Sequence, residues 1–482
     1  MKYESGMLAL PEADVRYVLD QIGVDPSGLV GTVAVAGTPL HLNSPIRVTE
    51  SAAAALVAEA VAVASLFKAR SGIDQDIEID ASQIAYALKP FVFTRLNGES
   101  SGSWTEHTTT APCNGYFETA DGRIVYMVNL IPKLRNDTLA FLKCAPDRSA
   151  VQAEISRWDA EELEAAAAAG GVPLAVMRSP DEWAAMPHGI ALARSPLVTV
   201  ELVGDAPRIP LSAAQQPFER IRVLDMTHVV AGPMITRGLA EYGADVLHVS
   251  PKREDLVDAE AIVREFGIGK RETKLGLDDA ADLATLKALL AEADVFVHSW
   301  RPGALDRFGL TAREIAKLRP GIVQVSVNCY GPNGPWAARG GFDGLALSSV
   351  GVTMLEAEHD RPKLSPPGVL TDALAGFLGA GLVASLLMKR AAEGGSHAAQ
   401  LSLARTAMWA LDLGRVPVDP ERPMHLGEPR MRQVRTTAGM VDHVAPVISF
   451  SHTESILPLR DHLSEANWLP ASDLASTAAA AG

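Results

Sequence analysis

Between residues 221 and 331 short apolar runs alternate with single helices, and this alternation restricts the fold more than any other feature. The stretch IRVLDMTHVVAGPMITRGLAEYGADVLHVSP opens it. An apolar strand at 221–226 meets a short turn, Ala-Gly-Pro starts a helix at about 233–242, and a second strand follows at 245–249. LATLKALLAEADVFVHSW and LTAREIAKLRPGIVQVSVNCYG repeat the helix-then-strand order. Strands joined by single helices pair in parallel through right-handed crossovers, so residues 217–415 are predicted to form a Rossmann-like α/β layer. Ligands of such sheets sit beyond the C-terminal strand ends, here THVVAGP, SPKRED, HSWRPG and NCYGPNGP. No GxGxxG follows the first strand, which argues against an NAD-linked dehydrogenase.

One acid stands apart. In KLSPPGVLTDALAGFLGAGLVASLLMKR (363–390), Asp372 is the only charge between Lys363 and Lys389. It reads either as a cap for a helix over 373–390, together with Thr371, or as a chemical group that helix polarity keeps ionised. The same plan occurs earlier. Residues 50–88 and 370–411 both present an Ala/Leu/Val helix with a basic end, a glycine, a short alternating piece and a second helix. Aligning their shared ASL triplets puts Ala52 opposite Asp372, so the first copy lacks the carboxylate.

The remaining chain divides into an α+β lobe over 1–216 and a loop-rich segment over 416–482 with one or two strands. In the lobe, strands are expected around the turn TADG and helices over 130–190. A net charge of -15 offers no basic excess for nucleic acid. Cys113, Cys144 and Cys329 form no CxxC pair, so neither a metal site nor a disulfide framework is predicted. The start MKYESGMLALPEADVRY carries no basic region followed by an apolar run, and the uncharged run after Asp372 spans about 16 residues, short for a membrane span. The expectation is a soluble cytoplasmic protein with no membrane partner.

Six stretches in order (RVLDMTHVVAGPMITRGLAEYGADVLHV, GKRETKLGLD, ADVFVHSWRPGALDRFGL, GIVQVSVNCYGPNGPW, GGFDGLALSSVGV and LTDALAG) resemble the class III CoA-transferases, the carnitine CoA-transferase and bile-acid-inducible F type. The likeness covers about 218–412. Residues 46–215, including NGYFETADGRIVYM, resemble the second half of the same family. The chain is thus similar to the second half of one copy followed by the first half of another, as in a long-chain, rearranged subgroup.

The resemblance implies a CoA-transferase that moves CoA from an acyl-CoA thioester to a carboxylic acid. Asp372 would be the nucleophile, an aspartyl-CoA thioester the intermediate, and a homodimer the expected assembly, with no permanently bound cofactor. For CoA it implies His228, Val229, Val230 and Ala231, then Lys252 and Arg253, Lys270 and Arg271, Ser299, Trp300 and Arg301, and Arg307. A shielding glycine loop would correspond to Gly98 through Gly102. Three departures from the family pattern stand out. Phe342 occupies the place of a racemase histidine, Val230 that of a glutamine in formyl-CoA transferase, and Ser250 and Ser299 those of a glutamate and an asparagine. The alternatives are a 2-methylacyl-CoA racemase or isomerase, and a non-catalytic CoA-binding paralogue.

Overall fold

The computed structural model describes residues 2–470 except 5, 7, 9, 30, 101–110, 257–258, 359–360, 367, 420–426 and 459–464. The predicted parallel layer is present. The strands of this layer are β9 (Val198–Gly204), β10 (Arg222–Met226), β11 (Asp245–Pro251), β12 (Arg271–Leu275), β13 (Val295–His298), β14 (Val323–Asn328) and β15 (Ser396–Ser402). They lie in the order β12-β11-β10-β13-β14-β15-β9, all parallel except the antiparallel edge strand β9. Strand order reverses between β10 and β13, which makes their C-terminal ends the switch point where a ligand crevice opens. The His228 N–H bridges that point, donating to Ser299 Oγ at 2.8 Å.

The run behind Asp372 forms the helix Leu370–Glu393, the crossover between β14 and β15. Its glycines let other helices approach. A Cβ at Gly379 would lie 2.4 Å from Ile235 Cδ1, and one at Gly381 would lie 2.9 Å from the Cα of Glu59. Gly381 faces the helix Val48–Ser71, which has the same length of 24 residues. Both helices are long and apolar enough to span a membrane, so the expected 16-residue limit is exceeded, but 83% and 100% of their apolar windows are buried inside the protein.

The internal repeat extends beyond two helices. A second sheet contains β1 (Lys2–Glu4), β2 (Thr32–Ala36), β3 (Ile77–Asp80) and β18 (Ile448–Phe450). Its order is β1-β2-β3-β18, three parallel strands and one antiparallel edge. That is the pattern of β13-β14-β15-β9. The helix Glu12–Gln21 joins β1 to β2 as Ala312–Leu318 joins β13 to β14. Val48–Ser71 leads to β3 as Leu370–Glu393 leads to β15, and a further helix follows each.

The lobe between the repeats contains β6 (Gly115–Glu118), β7 (Ile124–Met127) and β8 (Leu174–Val176) in one antiparallel sheet. The first two flank TADG as predicted. The third corrects the all-helical reading of 130–190: Leu174–Val176 pairs with β7 in a buried apolar run. In the C-terminal segment, β16 (Met431–Thr436) and β17 (Gly439–Val444) form a hairpin that pairs with β4 (Arg95–Leu96), itself paired with β5 (Glu99–Ser100).

Candidate functional site

Asp372 is the third residue of its helix and is buried. The helix start has no cap of its own: Val369 at the N-cap makes no side-chain bond, and Gly368 before it has φ +108°, a conformation that excludes side chains. The cap comes from another helix, Asp343–Val350. Asp343 Oδ1 accepts from the Thr371 N–H and hydroxyl at 2.6 Å each, and from the Asp372 N–H at 3.3 Å. Thr371 and Asp372 therefore do not cap the helix; they donate to the group that does.

This changes the electrostatics expected from the sequence. The positive helix end is taken up by Asp343, and Asp372 sits buried beside a second carboxylate. Burial, and then the charge of Asp343, hold the Asp372 carboxyl well above the usual range. Burial likewise lifts Asp343 to about 6, although its three accepted bonds work against the lift. The substrate-free protein thus favours one shared proton over two ionised acids, which corrects the expectation that helix polarity keeps Asp372 ionised.

Both acids line a cavity of about 530 Å³. Its lining includes Val229, Val230 and Phe342 from the parallel-layer region and Lys89, Tyr116 and Arg148 from the N-terminal lobe. One chain supplies both sets of residues. The Tyr116 and Tyr126 rings pack with centroids 4.6 Å apart. Tyr126 reaches the acids only because residue 344 is glycine, where a Cβ would lie 2.3 Å from Tyr126 Cε1. Val229 has φ +66°, costly for a β-branched residue and placed in the loop after β10 where it lines the cavity.

A smaller cavity of about 100 Å³ lies across that loop, lined by Thr227, His228, His248, Ser250, Lys270, Arg271 and Lys274 among others. The loop 228–230 separates the two spaces, with His228 in one and Val229 and Val230 in the other. The remaining residues singled out from the sequence divide into three groups. Ala231 starts the helix Ala231–Glu241, Ser299 holds the His228 amide, and the Trp300 ring lies edge-on to His228 with centroids 6.1 Å apart. Lys252, Arg253 and Arg307 are exposed, each beside a surface acid (Asp282, Asp255 and Asp278), and Arg301 is exposed without an ion pair among the described residues. Surface pairs of this kind contribute little and yield readily to an incoming anion.

Lys270 and Arg271 need correcting. Lys270 Nζ is buried and donates to Asp225 Oδ2 at 3.0 Å and Thr236 Oγ1 at 2.6 Å. Arg271 is buried and its Nη2 donates to both Asp245 oxygens at 3.0 and 3.1 Å. Removing either cation from its acid would leave an uncompensated buried charge, so they hold the sheet rather than reach for phosphates. Gly98 lies in the exposed turn between β4 and β5 and does not line the large cavity; Gly102 lies outside the described residues.

Asp343, Lys89, Tyr116, Tyr126 and Arg148 were not singled out from the sequence. For Asp343 the signal was there: it is the only charged residue in 340–355, the same isolation that marked Asp372. Lys89 and the tyrosines have no comparable signature.

Residues 218–416 match the sequence model of CoA-transferase family III. The acetyl-coenzyme A transferase nodX of Hypoxylon pulicicidum is 34% identical over 211 residues, 42% of this chain and 35% of that protein. Succinyl-CoA:glutarate CoA-transferase of Mus musculus is 30% identical over 187 residues, 37% of this chain and 43% of that protein. The chain thus spans less than half the length of these curated relatives. A CAIB/BAIF family protein from Brucella suis aligns at 23% identity and a TM-score of 0.38, covering 47% of this chain and 65% of that one. Over residues 218–416, the chain is thus similar to CoA-transferase family III.

Proposed function

We propose that the protein is a CoA-transferase that moves CoA from an acyl-CoA thioester to a carboxylic acid, with Asp372 as the covalent carrier. The observation that carries the reading is a buried aspartate at a helix start, facing a large cavity at the switch point of a parallel sheet. An Asp372 carboxylate oxygen attacks the thioester carbonyl, the C–S bond breaks, and CoA leaves as the thiolate. The thiolate attacks Cγ of the resulting mixed anhydride and releases the donor acid as its carboxylate. The aspartyl-CoA thioester is then attacked by the acceptor carboxylate, and the thiolate released takes the acyl group from the new anhydride. Asp372 is regenerated with no net proton change. Burial keeps water from the two activated intermediates.

Asp343 fixes the helix start and so the place of the nucleophile. Its charge also opposes ionisation of Asp372, so the proton the two acids share has to leave Asp372 before the attack. The exposed cations at 252, 253, 301 and 307 flank the strand ends where the phosphates of CoA would lie, and the loop 228–230 separates that region from the acyl cavity.

Intact-protein mass spectrometry after mixing with a panel of acyl-CoAs tests the proposal. A CoA-sized adduct that hydroxylamine removes is expected, and it should be absent from Asp372→Ala. No adduct with any donor, despite CoA binding, would overturn it. Asp343 also keeps a second reading open, because its Oδ2 accepts no bond from a described residue and a racemase needs a second base. Deuterium entering the α-carbon of an acyl-CoA from solvent would favour that reading.

A further inference from the structure

The N-terminal repeat carries Ala52 where its partner carries Asp372, yet it contributes to the site. Its last helix, Ile84–Ala87, is followed after Leu88 by Lys89, whose backbone N–H donates to the Tyr86 carbonyl at 3.1 Å before Pro90 turns the chain. That places the half-buried Lys89 side chain on the cavity wall with Asp372 and Asp343. Lys89 Nζ has no acid within ion-pair distance among the described residues and lies 6.0 Å from the centroid of the Phe91 ring. It lies 3.4 Å from where a Cβ of Gly368 would be, four residues ahead of Asp372. A half-buried ammonium set against a ring, with no acid beside it, gains a charge-assisted bond from an arriving anion. Burial lowers the Lys89 pKa to about 8 despite the nearby Asp343 charge, which fits a cation waiting for a counter-ion.

We infer that Lys89 is the receptor for the reacting carboxylate of the acceptor acid, so that the truncated repeat supplies the acceptor subsite while the complete one supplies the nucleophile. The inference rests on the CoA-transfer reading for the identity of the anion. The ligand is a carboxylate monoanion, bound between the ammonium and the Asp372 thioester. In the discharge step its oxygen bonds to Asp372 Cγ as the C–S bond breaks and the electron pair leaves on the CoA sulfur. With Asp372 held as the thioester, Asp343 is the acid left in this space, and Lys89 offsets its repulsion of the incoming carboxylate. Gly368 keeps the approach open, since a side chain there would press on Nζ.

Two measurements test this. The first uses Lys89→Met and Lys89→Arg, with acetate and succinate as probe acceptors. Both variants should still form the hydroxylamine-sensitive adduct from acyl-CoA, more slowly in Lys89→Met because the donor acid leaves as a carboxylate past the same ammonium. The acceptor KM of Lys89→Met should rise by about tenfold to a hundredfold for both acids, the loss expected for one charge-assisted bond. Lys89→Arg should recover part of it. An unchanged acceptor KM overturns the inference, as does a loss confined to succinate, which would place Lys89 on a distal carboxylate.

The second measurement needs no turnover. In the parent protein carrying ¹³C-dimethylated lysines, the Lys89 signal, assigned by its absence in Lys89→Met, should shift on titration with acetate. No shift overturns the inference. A shift in a protein that forms no CoA adduct supports the carboxylate subsite while refuting the covalent transfer reading.

Discussion

At the scale of single residues, two acids share one buried space and their protons decide what each can do. Asp343 is lifted from 3.8 to about 6, burial being the main cause, on the order of 3 kcal/mol of coupling between its charge and the fold. A carboxyl raised in the folded state contributes stability that is fully present below its unfolded value and is lost as pH rises through about 6. Asp343→Asn keeps an oxygen to accept the Thr371 and Asp372 bonds but removes the charge. The variant should therefore gain stability over the parent as pH is raised from 4 to 8, by up to on the order of 3 kcal/mol in chemical denaturation. Its acid limb for adduct formation should move to lower pH, because Asp372 loses the neighbouring charge that opposes its ionisation. A limb that stays in place would show that the two carboxyls do not titrate together.

At the scale of elements, the glycine-dotted helix behind Asp372 is a packing device. Gly381→Ala adds helix propensity worth about 1 kcal/mol. Its new methyl, however, would meet the Glu59 backbone at 2.9 Å, and only separating the two 24-residue helices could relieve that contact. Overpacking costs about 1–3 kcal/mol, so a net destabilisation of up to about 2 kcal/mol is expected from denaturant titration. A stabilised variant would mean the helices are less tightly apposed. The Asp372 end of the helix is placed by Asp343 from a different helix, so the position of Asp372 depends on how two helices dock as well as on local sequence.

At the scale of the molecule, two unequal copies of one strand–helix pattern face each other through the helices Val48–Ser71 and Leu370–Glu393. The cavity takes residues from the lobe, the truncated copy and the complete copy of a single chain. Catalysis should then need no second copy. Specific adduct formation should be constant as the protein is diluted through the range in which light scattering reports loss of any oligomer. A fall in parallel with dissociation would show that a partner completes the site.

The sequence by itself determined the parallel layer, its strand ends and the isolated Asp372, because hydrophobic period and charge isolation are local properties written along the chain. It also exposed the helix, short alternating piece and second helix of the repeat, but not the two strands and the helix that precede them in each copy. The tertiary structure alone decided which groups meet Asp372. Asp343, Lys89 and Tyr126 come from positions 29, 283 and 246 residues earlier in the chain, and only docking brings them to one cavity. It also decided which cations stay available. Lys270 and Arg271 have the same charge as Lys252 and Arg253, but burial beside Asp225 and Asp245 commits the first pair to the sheet. Charge is a property of the residue, whereas desolvation and partners are properties of the fold, and the chemistry of this site depends on the second.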